Sequence, residues 1–435
     1  FRAYAPRRRA VLGAVLLGLG SMVGTGIFVS TSVATGATGP AVLLAIVVAA
    51  AVATCNGLSS AQLAAAFPVS GGTYEYGYRC LTPALGFTAG WMFLCAKSAS
   101  AATAALGIAA AVLLWFDVKL ATWQVPLAAG SAVLITLLVL LGVRRSNQVN
   151  AVVVLITLAS LGYFVLAGWS TAWGAIDVNW KPFFEGASPW LKFAGFAEAC
   201  ALMFVAYTGY GRVATLGEEI HNPSKNIPCA VIVTLLVTML IYLPVLFVGV
   251  GLVWATAFAA AGGQQSAPLQ LVAATFDQAG AAIAIAIGAV TAMLGVLLNL
   301  VLGLSRIALA MGRRGDLPNL FAYVSATGSS PIPAVILVGV GITGLTLLGS
   351  VKTAWSFSAF TVLLYYAITN LAAIRMPSEL RRYPVWIAWA GLAACLSLAF
   401  WVEFEIWLVG LALVVAGLVW HAICRRVRTS SQAAD

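Results

Sequence analysis

Gly20-Ser21-Met22-Val23-Gly24-Thr25-Gly26-Ile27-Phe28 lies inside a tract, Ala10 to Tyr74, that contains no Lys, Arg, Asp or Glu. That tract is long enough to cross a bilayer twice, at roughly 20 residues per helical crossing. Glycines two apart, flanked by a hydroxyl, weaken a helix midway across the membrane. Unwinding there exposes backbone N–H groups that can hold a carboxylate at a half-helix end. Small residues at such a depth also serve as close-packing surfaces between helices, and the tract alone leaves both readings open.

The same segregation of charge runs through the chain. Its 435 residues are 62% hydrophobic and 8% charged, with a mean hydropathy of +1.00. No Lys, Arg, Asp or Glu occurs from Asn226 to Phe276 or from Leu317 to Val351. A soluble domain of this size needs far more polar surface. Gly, Pro and charged punctuation predicts an all-α polytopic membrane protein of about twelve spans. They fall at 11–35, 40–67, 84–114, 124–142, 150–172, 193–216, 228–255, 280–310, 332–350, 354–375, 385–402 and 406–424. The first apolar tract is too long for a signal peptide. Connections at 170–192 and 256–279 are expected to hold short interfacial helices, with Trp173, Trp180 and Trp190 at the membrane boundary.

Twelve spans put both ends on one side. That side then receives 18 of the 23 basic residues, from Arg2, Arg7, Arg8 and Arg9 to Arg425, Arg426 and Arg428. The opposite side receives Lys119, Lys181, Lys192 and Lys352, while Lys97 falls inside span three. The positive-inside rule makes the basic side cytoplasmic and places both termini there, in a cell membrane of the prokaryotic inner or plasma type. The net charge of +10 therefore points to anionic lipid and not to nucleic acid, whose binding needs a basic face or tail.

Span six repeats the anomaly of span one. It reads Ala206-Tyr207-Thr208-Gly209-Tyr210-Gly211-Arg212 and is followed by Gly217-Glu218-Glu219. A break here frees carbonyls that accept an ammonium group. Spans one and six lie five apart and start on opposite sides. Two five-span repeats are therefore inverted, and paired interruptions in inverted repeats point to a midplane substrate site.

On these residues the chain resembles the amino acid–polyamine–organocation superfamily, and within it the permeases related to cationic amino acid transporters. Gly20 to Phe28 matches that group's Gly-Ser-x-x-Gly-x-Gly-Ile-Phe motif. Phe67-Pro68-x-x-Gly71-Gly72-x-Tyr74 matches its signature after span two. Glu218-Glu219-x-x-Asn222-Pro223-x-x-Asn226-Ile227-Pro228 and Ser305-Arg306 with Met311, Gly315, Leu317 and Pro318 match later ones. The resemblance implies a LeuT-like core of five plus five inverted spans, 11–172 and 193–375. The intervening loop is 173–192, two further spans occupy 385–424, and the tails are 1–10 and 425–435.

It further implies a secondary active transporter of an amino acid, working by alternating access, with an amine or polyamine exchanger as the alternative. The substrate carboxylate would meet backbone at Gly24, Thr25 and Gly26, with Ser21, Val23 and Ile27 beside it. Its ammonium would meet carbonyls near Ala206 and Tyr207, next to Gly209. Tyr207 is expected to line the pocket as part of a thin gate. Arg212 departs from the small or acidic residue expected after the break. The lack of a clear acidic partner argues for a small or neutral side chain over Arg or Lys. Glu198 is the one core-span acid for a polyamine reading or a proton, unless it is a helix-end carboxylate beside Lys192.

Coupling is expected to be sodium-independent, by proton symport or exchange. Proton-coupled and exchanging relatives carry a lysine in span five, whereas Thr157 stands at that position here, and a hydroxyl there suits sodium. Lys97 provides the alternative cation, since an ammonium within a span needs a polar cavity or a partner. It serves either as a charged or protonatable element or as a structural tether. At the cytoplasmic rim, Glu218 and Glu219 could pair with Arg144, Arg145, Arg313 or Arg314 as a gate. A channel lacks a repeated selectivity element. Enzyme chemistry lacks a triad or metal set, because His221 and His421 stand alone at span ends. No cofactor or metal is expected. The seven cysteines lack metal-site spacing, and the loop Trp115 to Gln124 has no cysteine, so no disulfide-linked subunit is expected.

Overall fold

The computed structural model describes residues 7–67, 71–142, 147–214, 223–264, 267–324 and 331–432. Span one is three helical pieces, α1 (Arg7–Met22), α2 (Thr25–Phe28) and α3 (Ser30–Thr38), and α4 (Val42–Ala66) returns. The short α5 (Thr73–Cys80) leads to α6 (Pro83–Trp115), α7 (Leu120–Leu140) and α8 (Asn147–Gly174). After α9 (Ile176–Asn179), span six is α10 (Pro189–Tyr207), a 3-10 turn Thr208–Tyr210 and α11 (Gly211–Ala214). The second half continues as α12 (Pro223–Val253), α13 (Ala255–Gln264), α14 (Pro268–Ala273), α15 (Ala281–Arg314), α16 (Ile332–Thr346) and α17 (Val351–Arg375). Two further helices follow, α18 (Val385–Ala399) and α19 (Phe404–Gln432).

Local chemistry fixes these limits. Thr82 and Ser188 accept the N–H groups of Leu85 and Leu191, with Pro83 and Pro189 at the first helical positions. A proline there forfeits only an N–H that has no helical partner. Gly315, at φ +68°, ends α15 in the left-handed conformation that glycine adopts without penalty. Both broken spans are where the sequence expectation put them. Among the described residues, ten helices are long and apolar enough to cross a membrane, while α16 and α18 have fifteen residues each. Spans nine and eleven are thus shorter than the apolar tracts 332–350 and 385–402 that announced them.

The centre of the bundle is α6, packed against α15, α17 and α7. Its alanines make this possible: Ala96, Ala99, Ala101, Ala102, Ala104 and Ala105 are all fully buried. Helices in lipid associate by close approach, and a methyl side chain permits it. The outer connections do carry short helices, α9, α13 and α14. Trp173 and Trp190 are exposed as expected, but Trp180 is buried. Its ring stacks on Phe247 at 5.3 Å, so it locks the loop to α12 instead of marking the interface.

Candidate functional site

At the first break, the Gly24 N–H donates to the Met22 carbonyl at 2.9 Å. The N–H groups of Ile27 and Phe28 then bond back to the Gly24 carbonyl, each at 3.1 Å. Thr25 and Gly26 open α2, and the first N–H groups of a helix have no acceptor within that helix. At the second break, the Thr208 hydroxyl donates to the Val205 carbonyl at 2.7 Å as α10 ends.

The two breaks touch. A Cβ at Gly209 would lie 2.6 Å from Met22 Cγ and 2.8 Å from the Ser21 carbonyl oxygen. One at Gly26 would lie 2.9 Å from Ala206 Cβ. All three distances are below any tolerable contact, so glycine lets the interrupted segments cross. Tyr242 of α12 ties them: its hydroxyl donates to the Met22 carbonyl at 2.8 Å and lies 3.4 Å from that of Ala206.

Beside the crossing is a cavity of about 120 Å³, far above the ~10–15 Å³ needed for one water. Thr25, Gly26, Ala206 and Gly209 wall it from the breaks, Lys97 and Ser100 from α6, and Asn299 from α15. Trp355, one turn into α17, lines it as well, with Nε1 donating to the Leu202 carbonyl at 3.0 Å. In the other direction the cavity reaches Gly71 and Gly72 before α5. By the alternation of spans, that is the side on which α1 begins.

Of the residues singled out from sequence, Ser21, Thr25, Gly26, Ala206 and Gly209 line this space. Val23, Gly24, Ile27 and Tyr207 do not. Gly24 faces α15, where a Cβ would meet Val296 Cγ2 at 2.6 Å, and Ile27 is wholly buried. The expectation for Tyr207 needs correction. Its ring packs on Tyr242 at 5.6 Å, fully buried and turned into the bundle, and the aromatics at the cavity are Phe93, Trp355 and Tyr365.

Lys97 stands in the cavity wall, 8% exposed, with Nζ donating to the Thr208 hydroxyl at 2.6 Å. The ammonium thus reaches the second break, a contact its place in span three does not reveal. Thr157 lies outside the cavity wall, buried in α8 and donating to the Val153 carbonyl at 2.8 Å. Glu198 is likewise remote. The charges acting on it are Lys352 and Glu403, themselves an ion pair of 2.5 Å at the opposite side. Lys192 is not its partner.

Glu218, Glu219, Arg144 and Arg145 lie outside the described residues. Arg313 is exposed, and its neighbour Arg314 makes the contact at this mouth, pairing with Glu75 of α5 at 2.5 Å. The hydroxyls of Tyr74 and Tyr78 each donate to Asp316 at 2.6 Å. Burial, with the Asp316 carboxylate beside it, raises the Tyr74 phenol well above its ordinary range, so it stays a donor. His421 Nδ1 of α19 is 3.4 Å from the other Asp316 oxygen. These groups fasten α5, next to Gly71 and Gly72, to the end of α15. Sequence reasoning passed over Glu75, Asn299, Trp355 and Tyr242. A lone Asn within the apolar 281–314 span was the one legible hint.

This geometry agrees with the comparison to known proteins. Residues 13–434 match the amino acid permease family. The chain belongs to that family. An uncharacterized transporter of Mycobacterium tuberculosis is 34% identical, over 99% of this chain and 94% of that protein. A methylthioribose transporter of Bacillus subtilis is 31% identical, over 80% of this chain and 77% of its own. A branched-chain amino acid permease of the same organism is 31% identical, over 77% and 72%. Among solved structures, a manganese transporter of Eremococcus coleocola superposes with a TM-score of 0.62 at 13% identity, over 96% and 94% of the two chains. At that identity it speaks for the LeuT-like fold alone. The permease is therefore a multi-pass membrane transporter of that fold, and not an enzyme.

Proposed function

We propose that this permease is a secondary active transporter of amino acids, sodium-independent and driven by proton symport or exchange, through alternating access. The observation that carries the reading is the cavity at the crossing of the two breaks. There the N–H groups of Thr25 and Gly26, at the start of α2, suit a substrate carboxylate, because α2 presents them at its positive end. The carbonyl end of α10 lies across the cavity and suits the α-ammonium. No Asp or Glu lines the cavity among the described residues, which disfavours a diamine or a cationic side chain.

Under the positive-inside orientation, both termini are cytoplasmic in a cell membrane. The cavity then extends toward the cytoplasm, with Trp355 on the outer side, as in an inward-facing state. Lys97 is the charged element of the coupling, held at the break in span six where a transported cation would otherwise meet carbonyls. The protein is tested alone in proteoliposomes, with uptake driven separately by a sodium gradient and by a pH gradient. Saturable uptake and counterflow of an amino acid, driven by pH and indifferent to sodium, are expected. A strict need for sodium would overturn the coupling, and non-saturable flux would indicate a channel.

A further inference from the structure

The cavity has an unbalanced charge, and this points to its substrate. Lys97 is more than nine-tenths buried and its one hydrogen bond among the described residues goes to a neutral hydroxyl, that of Thr208. An ammonium has three donors and no acceptor, so two remain for something else. None of the ion pairs among the described residues includes it. Thr208 is already committed as a donor to Val205, so it cannot turn to serve a second group. A second donor is unspent in the same cavity, on the neighbouring helix α15: Asn299 is 5% exposed, lines the cavity, and its Nδ2 has no partner among the described residues. Buried donors are normally satisfied, and a buried cation is stable only when paired or solvated by a polar site.

A zwitterionic amino acid with an aliphatic side chain brings no net charge, so it leaves this imbalance as it found it. One with a second carboxylate brings a single negative charge and acceptors for both Lys97 and Asn299. We infer that the cavity selects amino acids whose side chain ends in a carboxylate, with Lys97 and Asn299 as the residues that recognise that group. The inference rests on reading the cavity as an amino acid site, and it adds the side-chain class.

The test is competition in counterflow, using purified permease in liposomes. L-Aspartate and L-glutamate are compared with L-alanine, L-leucine, L-glutamine and L-lysine. Aspartate or glutamate is expected to compete at least tenfold more strongly than the others. In Lys97→Gln the ratio of glutamate to alanine affinity falls at least tenfold. Asn299→Asp leaves the lysine in place but supplies it with an internal carboxylate, and the same ratio falls by a similar factor. This second variant keeps the test decisive should Lys97→Gln fail to give a monodisperse protein. Competition by neutral amino acids with none by the acidic pair would overturn the side-chain class and leave the amino acid transporter intact. An unchanged ratio in either folded variant would overturn the assignment of that residue to recognition. Counterflow of no amino acid at all would overturn both readings together.

Discussion

The two broken spans look alike in sequence but present opposite kinds of edge to the cavity. In span one, a glycine turn sets the N–H groups of Thr25 and Gly26 at the start of α2, where they have no acceptor within that helix. In span six, the freed groups are largely occupied: Thr208 caps Val205, Lys97 holds the Thr208 hydroxyl, and Tyr242 sits near the Ala206 carbonyl. The first break is an open site and the second a furnished one. Glycine spacing announces an interruption, but neighbouring helices decide what the interruption offers.

Gly26→Val attacks the open edge and carries the largest expected effect. A side chain there meets Tyr242 and Ala206 and shuts the N–H groups away from a ligand. Loss of two charge-assisted bonds at ~1.5 kcal/mol each corresponds to about 100-fold in affinity, read by counterflow in a variant that remains monodisperse. Normal affinity would remove the carboxylate clamp from span one.

Tyr242→Phe sharpens the comparison, because it cuts the tie between the edges without adding bulk. Loss of one buried hydrogen bond costs about 1 kcal/mol, or roughly fivefold in substrate affinity, with a lower melting temperature. If the tie belongs to α12 packing alone, the melting temperature falls while affinity holds.

The smallest effect is expected at the mouth. Glu75 and Arg314 are partly exposed, so Glu75→Gln should change stability by less than ~1 kcal/mol. It should still raise labelling of cysteines placed near Gly71 by membrane-permeant reagents. Arg313→Gln, at an exposed side chain, should leave labelling unchanged. The reverse order would return the gate to Arg313.

The fold was legible because its signals are physical and long. Charge-free tracts, basic residues on alternate connections and paired glycine interruptions each follow from the low-dielectric interior of a bilayer. The glycines at 24, 26 and 209 were legible as close approaches for the same reason. Side-chain direction was not. Tyr207 and Trp355 both sit in apolar helices, and only the contact of Tyr207 with Tyr242 of α12 and the packing of α10 on α17 determine which ring meets the cavity. Lys97 was conspicuous as an intramembrane charge, yet its partner is 111 residues away, and no local pattern encodes such a contact. Glu75 escaped notice because one acid in a short helix resembles any solvated surface charge.

The short helices α16 and α18 have a consequence for the lipid around them. Fifteen residues rise only about 22 Å, against a hydrocarbon thickness of roughly 30 Å. Their outward side chains, among them Val340, Trp386 and Trp389, are exposed and apolar, so acyl chains solvate them directly. The bilayer must therefore thin along these two edges or draw flanking groups inward, at a fraction of a kcal/mol per Å. Because α18 packs on α17, that elastic load falls on the helix that carries Trp355 and Tyr365. Acyl-chain length thus becomes a mechanical variable acting on the wall of the cavity.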